Sequence, residues 1–465
     1  MATDSGLLME FERLSLSLGA DIYSGTNSIT GFSSVCIDSR YAQGDSLFVA
    51  LPGTTCDGHC FVKMAFDRGA AAALVDRKKL DEYDLPALAR KTGKALIAVD
   101  DTLHGLQEAA RIYLEQFPDL IKIGITGSSG KTTTKEIAAA IAGLEKRVAM
   151  NPGNYNSETG LPLAVFSVRP EHEVGIFEMG MNHRGEIASL ANVLKPNIAL
   201  ITNIGSAHIG ILGSKDAIAE EKKQIFSQFT GTETALIPDA CAYRDFLADG
   251  VNGRVAFYGE ESFTGLGGSR SLGLHGSEIL WNGQSIAFPL PGKYNLANAL
   301  AAIAIALEIP VSAAAIKHGL ESSKPLFGRG EILAGKATVI QDCYNANPES
   351  LEKALEFCES LDWKGRRIYI IGEMLELGAD SHSAHEQMGR LLAASKADMV
   401  YLFGKETLSA AGVLEAAKVR FFHTCDMGEL SGALRSFVQS GDLVLLKGSR
   451  GCALERLCDV LAGAA

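Results

Sequence analysis

The sequence predicts an α/β protein of three domains. These are a small N-terminal α/β domain (1–117), a central phosphate-loop domain with a mainly parallel sheet (118–323), and a Rossmann-like C-terminal domain (324–465). Three observations carry that prediction. A strand, a glycine-rich loop and a helix follow one another over 121–136. Two later strands of the same segment end in an acid or a glycine. Beyond residue 338, five strand patterns alternate with helical ones. Strands separated by helices pair in parallel, and such a sheet gathers ligands at the carboxyl ends of its strands.

Composition narrows the class. The chain has 465 residues, 47% of them hydrophobic, which is enough for several cores and excludes a largely disordered protein. A net charge of −12 excludes a nucleic-acid backbone as partner, because that needs basic surface. No apolar run reaches the roughly 18 residues of a membrane span. The opening Met-Ala-Thr-Asp-Ser-Gly lacks the basic and apolar regions of a secretion signal. Nine cysteines, an odd number without a disulfide framework, fit reduced thiols in a cytoplasm. Cys56, His59 and Cys60 have no second ligand cluster nearby and read as packing rather than a metal site.

In the first domain, Val35–Arg40 and Ser46–Leu51 read as strands joined by a Gly44-Asp45 turn. A polar loop, Pro52 to His59, leads into a helix over 61–69, and 70–76 and 95–100 read as further strands. Asp38, Ser39 and Arg40 suit either a ligand pocket at a strand end or a capped turn with a surface ion pair.

The second domain opens on Ile121-Lys-Ile-Gly-Ile-Thr126, whose alternating isoleucines mark a strand, with a helix expected from Lys135. Between them lie Gly127, Ser128, Ser129, Gly130, Lys131, Thr132 and Thr133. The glycines let backbone approach a ligand without a Cβ clash, and the free N–H groups of a helix start favour an anion. Lys131 supplies charge for outer phosphates and the Thr132 hydroxyl a ligand for Mg²⁺. The loop is shorter than the usual Walker pattern, with Ile125 where that pattern has its first glycine. It marks a nucleoside triphosphate site. Glu178, before Gly180, and His208, after Gly205, follow the next strands and should converge on the same crevice as Mg²⁺ ligands.

The stretch 216–228 reads as a helix whose apolar stripe contains Ile218, Ile225 and Phe226, with Lys222 in its middle. A lysine there is either paired, chemically altered, or stretched out to water. Asn295 and Asn298, one turn apart on an alanine-rich helix, either cap it or read a base edge. The third domain has strand patterns over 338–344, 367–372, 399–404, 419–424 and 442–448, without the glycine fingerprint of a dinucleotide site. Arg329 lies at the hinge before it, placed to reach a γ-phosphate when domains close.

Taken together, these motifs resemble the Mur ligase family of ATP-dependent amide ligases. The resemblance runs over essentially the whole chain. Its carriers are Gly127-x-x-Gly130-Lys-Thr-Thr-Thr134, Phe177-Glu-Met-Gly-Met-Asn182-His-Arg-Gly-Glu-Ile187, Asp342-x-Tyr-Asn-Ala-Asn347-Pro-Glu-Ser350, and Gly372-Glu-Met-x-Glu-Leu-Gly378 followed by His385. It implies ATP and Mg²⁺ as cofactors, and UDP-N-acetylmuramoyl-tripeptide and D-alanyl-D-alanine as the molecules joined; a monomer is expected, with no motif that specifies the oligomeric state. The resemblance also assigns roles by position. Lys131, Arg329 and the rest of the phosphate loop would hold ATP, with Asn295 and Asn298 near its base and Asp342 near its ribose. Thr132, Glu178, His208 and Lys222 (as a carbamate) would surround the metal. Ser39, Thr54 and Thr55 would receive the uridine, and Asn154 and Asn156 the pyrophosphate side. For D-alanyl-D-alanine the third domain offers Asn345, Asn347 and His385 as candidates. Tyr294 departs from the family, which has histidine before Asn295. The competing readings are the sister ligase that adds the third peptide residue and a nucleotide-driven binding protein without catalysis.

Overall fold

A computed structural model describes residues 6–23, 30–53 and 55–463. Thr54, one of the residues expected at the uridine, lies outside the described residues. Three α/β layers follow one another along the chain, as the sequence predicts. The first sheet has five strands in the order Asp21–Tyr23, Ala95–Val99, Ala72–Asp76, Ser46–Val49, Ser34–Cys36, with only the first antiparallel. The strand expected over 35–40 stops at Cys36. Asp38 instead caps a 3₁₀ turn, Ser39–Tyr41, accepting from the Arg40 N–H and pairing with the Arg40 guanidinium at the surface.

The central sheet has six parallel strands in the order Arg254–Tyr258, Thr234–Pro238, Ile198–Ile201, Ile121–Thr126, Val174–Glu178, Val148–Met150. Successive side chains alternate between its faces. Ile123, Ile125, Ile176 and Leu200 pack beneath the helices Lys131–Ala142 and Lys293–Leu307, while Phe177, Ala199 and Ile201 face the opposite core. That opposite core also holds Leu106, Ala110 and Tyr113 of the helix Thr102–Leu114, so the first and central domains share one apolar interior. Burial on both faces explains why these strands read as unbroken apolar runs.

The third sheet runs Glu331–Ala334, Thr338–Asp342, Leu443–Lys447, Arg367–Gly372, Met399–Phe403, Phe421–Thr424, all parallel except its first edge strand. That edge strand escapes sequence reading, as does a three-stranded antiparallel sheet formed by Leu266–Ser271, Ser277–Trp281 and Gln284–Phe288. Gly267 and Gly268 interrupt the alternation that would have announced the latter. No helix among the described residues is long and apolar enough to cross a membrane.

Candidate active site

The first strand of the central sheet lies between the third and fourth, so chain order reverses beside it. A crevice opens outside the carboxyl ends at that point, where ligands of such sheets bind. The phosphate loop occupies it. Gly127 has φ +150° and Gly130 φ +80°, conformations that favour glycine. A Cβ on Gly127 would fall 1.8 Å from Thr202 Oγ1, and one on Gly130 2.3 Å from Asn298 Oδ1. The helix begins at Lys131, four residues earlier than the sequence suggests, because Gly130 turns the chain directly into it. Thr132 and Thr133 therefore belong to its first turn, where N–H groups have no helical partner.

Neighbouring loops hold this backbone in place. Ser128 Oγ donates to Gly205 O (3.1 Å) and accepts from Gly205 N (2.9 Å). Thr202 Oγ1 and Asn203 Nδ2 donate to Ser129 O at 2.6 and 2.9 Å. Lys131 Nζ donates to Gly127 O at 2.9 Å. The Thr132 hydroxyl donates to Glu178 Oε2 (2.7 Å) and accepts from the Arg329 guanidinium (3.0 Å). Glu178 is buried, and its other oxygen accepts from Asn156 Nδ2 at 2.7 Å. Arg329, from the start of the third domain, stacks on Tyr344 with 4.1 Å from its guanidinium carbon to the ring centre. Burial pushes the Lys131 ammonium below its usual range; Glu178 opposes that and Arg329 adds to it.

A cavity of about 670 Å³ runs from this loop to the third domain. Ser128, Ser129, Gly130, Lys131, Thr132 and Thr133 line it, as do Asn154, Asn156, Glu178 and His208. From the other side come Asn295, Asn298, Arg329, Asp342, Asn345 and Asn347. Asn295 and Asn298 are buried and joined by a 3.3 Å hydrogen bond, with Asn298 against Gly130 and Asn295 Nδ2 on Pro291 O. Asn347 caps the helix Pro348–Ser360 by accepting from Ser350 N.

Lys222 sits 1% exposed on the helix Lys215–Lys223, which ends in a 3₁₀ turn at 224–226 rather than running to 228. Its side chain is enclosed rather than stretched to water. Burial drives its ammonium well below the usual range, and the charge of Lys131 adds to the effect.

One expectation needs correction. His385 is wholly buried, its Nε2 accepting from Met374 N (3.1 Å) and its Nδ1 at 2.7 Å from Ser381 O. With both nitrogens engaged in shaping the loop 372–378, it has none left for a substrate. Ser39 is buried, with its hydroxyl on Met64 Sδ (3.3 Å), and neither it nor Thr55 lines this cavity, so both belong to a separate part of the first domain.

Sequence reasoning passed over three contributors. Asn203, at the end of its strand, clamps the phosphate loop. Glu376 lies 3.1 Å from His208 Nδ1 but out of line for a hydrogen bond, which leaves that nitrogen buried without a partner. Glu349 reaches from the third domain to Ser206 N (3.1 Å), Ser206 Oγ (2.6 Å) and Lys215 Nζ (2.8 Å). Their signal was polar residues just past strand ends or at a helix start, too common to single them out.

A magnesium ion fits these residues. A hydroxyl and a carboxylate, both hard oxygen donors, meet at the phosphate loop, and a buried imidazole nitrogen lacks a partner. No three His, Cys, Asp or Glu side chains among the described residues form a metal cage by themselves. That suits an ion completed by phosphate oxygens and water.

A phosphate loop at a parallel sheet's reversal point, met by an arginine from the turn that leads into a Rossmann-like third domain, defines a three-domain nucleotide-dependent enzyme. Family models match all three parts: the Mur ligase family catalytic domain over 32–113, the Mur ligase middle domain over 125–306, and the Mur ligase glutamate ligase domain over 328–450. The chain belongs to the Mur ligase family. The UDP-N-acetylmuramoyl-tripeptide–D-alanyl-D-alanine ligase of Treponema pallidum is 44% identical to it, over 97% of this chain and 98% of that protein. The protein of the same name from Escherichia coli is 32% identical over 92% and 93%. A crystal structure of MurF from Acinetobacter baumannii superposes with TM-score 0.88 at 28% identity, covering 97% of this chain and 98% of that one. MurF from Thermotoga maritima, solved in complex with ADP, gives 0.78 at 27% identity, covering 92% and 97%.

Proposed function

We propose that this chain joins the amine of D-alanyl-D-alanine to the terminal carboxylate of a UDP-N-acetylmuramoyl tripeptide, cleaving ATP to ADP and phosphate. One observation carries this reading. Lys131 and Arg329, from different domains, meet Thr132 and Glu178 in a crevice large enough for a nucleotide and a peptide end. The names of its relatives, matched over nearly the full chain, support the choice of substrates. The product would serve peptidoglycan precursor synthesis in the cytoplasm, and with it cell shape and division.

The tripeptide carboxylate attacks the γ-phosphate to give an acyl phosphate. The dipeptide amine then adds to that carbonyl and phosphate leaves. Phosphoryl transfer requires positioning and charge neutralisation more than covalent help from the protein. Amides of the phosphate loop and Lys131 cradle the phosphates, and Arg329 meets the γ-phosphate with its planar fork held by Tyr344. Thr132, Glu178 and His208 would hold Mg²⁺, which when bound withdraws charge from the phosphate oxygens. Asn295 and Asn298 would flank the base, and Asp342 the ribose. Ser39 and Thr55 would receive the uridine, Asn154 and Asn156 the pyrophosphate side of the UDP-sugar, and Asn345 and Asn347 the dipeptide.

Lys222 would react as a neutral amine with carbon dioxide, forming a carbamate and releasing a proton. Its burial supports this, since a neutral amine is the form that reacts. Turnover of Lys222→Ala should fall by about 100-fold and recover in part with acetate, a carboxylate of similar size. A folded, ATP-binding variant that acetate does not rescue counts against the carbamate.

The decisive assay follows phosphate release with ATP, Mg²⁺ and the UDP-muramoyl tripeptide, comparing D-alanyl-D-alanine with single amino acids. Release that depends on the dipeptide supports the reading. Release with lysine, diaminopimelate or glutamate moves the substrate, and no release with any acceptor refutes catalysis.

A further inference from the structure

The hairpin before the first domain's short helix carries two thiols that the ligation chemistry does not use. Cys56 and Cys60 are both exposed, and their sulfurs are 3.4 Å apart. The chain between them is tightly held: Gly58 N donates to Leu51 O, His59 N to the Asp57 carboxylate and Cys60 N to Asp57 O, while Cys56 O accepts from Gly53 N. His59 takes no part in a metal site. Its Nε2 accepts from Asp76 N (2.8 Å), so Nδ1 carries the proton and donates to Asp57 at 2.5 Å. What remains is a bare pair of thiols facing each other, with Cys60 Sγ donating to Asp57 O at 2.8 Å.

We propose that Cys56 and Cys60 form a redox-responsive pair, closing reversibly to a disulfide that loosens the hold of the Thr55 loop on its ligand. A disulfide needs its sulfurs about 2 Å apart, so closure asks for a small movement of two exposed side chains. It also removes the Cys60 hydrogen bond to Asp57 O, which shapes the turn leading out of the loop. In a reducing compartment such a pair stays open and reports a change of redox state. With glutathione disulfide as oxidant, the Cys56 thiolate attacks one sulfur and expels one glutathione thiolate. The Cys60 sulfur, its proton lost to water, then attacks Cys56 Sγ and expels the second. Two protein thiols become one disulfide, and one glutathione disulfide becomes two thiols. Desolvation, the Cys56 sulfur and the Asp57 charge hold the Cys60 thiol above its usual range, so it stays protonated while Cys56 makes the first attack.

The control of binding rests on the proposed function, under which Thr55 would meet the uridine of the substrate. The full-length protein is treated with glutathione disulfide, digested and mapped by mass spectrometry, while calorimetry follows UDP-N-acetylmuramoyl-tripeptide affinity. A Cys56–Cys60 link, a roughly tenfold loss of affinity reversed by dithiothreitol, and no such loss in Cys60→Ser are expected. A stable glutathione adduct on Cys56, or modification confined to the exposed Cys425, overturns the pair. A link that leaves affinity unchanged overturns the control. Failure of the reduced protein to bind the tripeptide overturns the control together with the substrate reading, while the peptide map still decides the pair.

Discussion

Lys131 and Lys447 both stand at the carboxyl ends of parallel sheets, and both line the same cavity. They differ in what holds them. Lys131 bonds to a backbone carbonyl, Gly127 O, at 2.9 Å. Lys447 bonds to Asn345 O at 2.8 Å and pairs with the Asp342 carboxylate at 2.9 Å. A carbonyl steadies an ammonium and leaves its charge to act on an arriving anion, whereas a carboxylate cancels it. The contrast teaches that position at a sheet's ligand edge does not by itself make a lysine a phosphate binder. The third sheet ties its cation to Asp342 in the wall, whereas Lys131 feels Glu178 but bonds no carboxylate, which fits the phosphate-binding role proposed for it.

Exchanging the two outcomes is the strongest test. Lys131→Ala should lower turnover by about 1,000-fold while leaving the unfolding midpoint nearly unchanged. Lys447→Ala should cost about 3 kcal/mol of stability in urea unfolding, because Asp342 is left poorly solvated and unpaired. A Lys131 variant that loses stability but keeps activity would invert the comparison. Glu349→Gln sharpens it at the domain contact. Burial raises the Glu349 carboxyl, but bonds from Lys215 and Ser206 outweigh that and hold it below its usual range. The amide loses the Lys215 pair, about 1 kcal/mol, and the KM for ATP should rise about fivefold, since Ser206 adjoins the Gly205 that steadies Ser128.

The smallest effect is expected in the first domain. Burial favours a raised Asp57 carboxyl, yet hydrogen bonds from His59 and Lys79 bring it from 3.8 down to about 2. A folded-state value below the unfolded one stabilises above pH 3.8, and that contribution fades as pH falls toward 2. Asp57→Asn should therefore cost about 1 kcal/mol at neutral pH, with the gap from the parent closing in acid. A gap that persists at pH 2 would show that shape, not charge, matters at this cap.

Much of the molecule was legible before folding was considered. The phosphate loop, the parallel sheets and the place of Lys222 in an apolar stripe all follow from spacings within one strand, one loop or one helix, whereas spacing leaves the enclosure of its ammonium open. Each is a repeat of 2 or 3.6 residues, or a glycine where backbone must approach a ligand. The sequence by itself therefore determined the central layer, its ligand edge and the kind of ligand it takes. Tertiary structure alone decided which polar residues face that ligand. It brings Arg329 onto Thr132 and Glu349 onto Ser206 across long stretches of chain, turns His385 inward to hold the Met374 N–H, and sets Asp342 against Lys447. Local periodicity records which face of an element is buried. The partner met on that face depends on how separate layers pack, and no spacing along the chain encodes it.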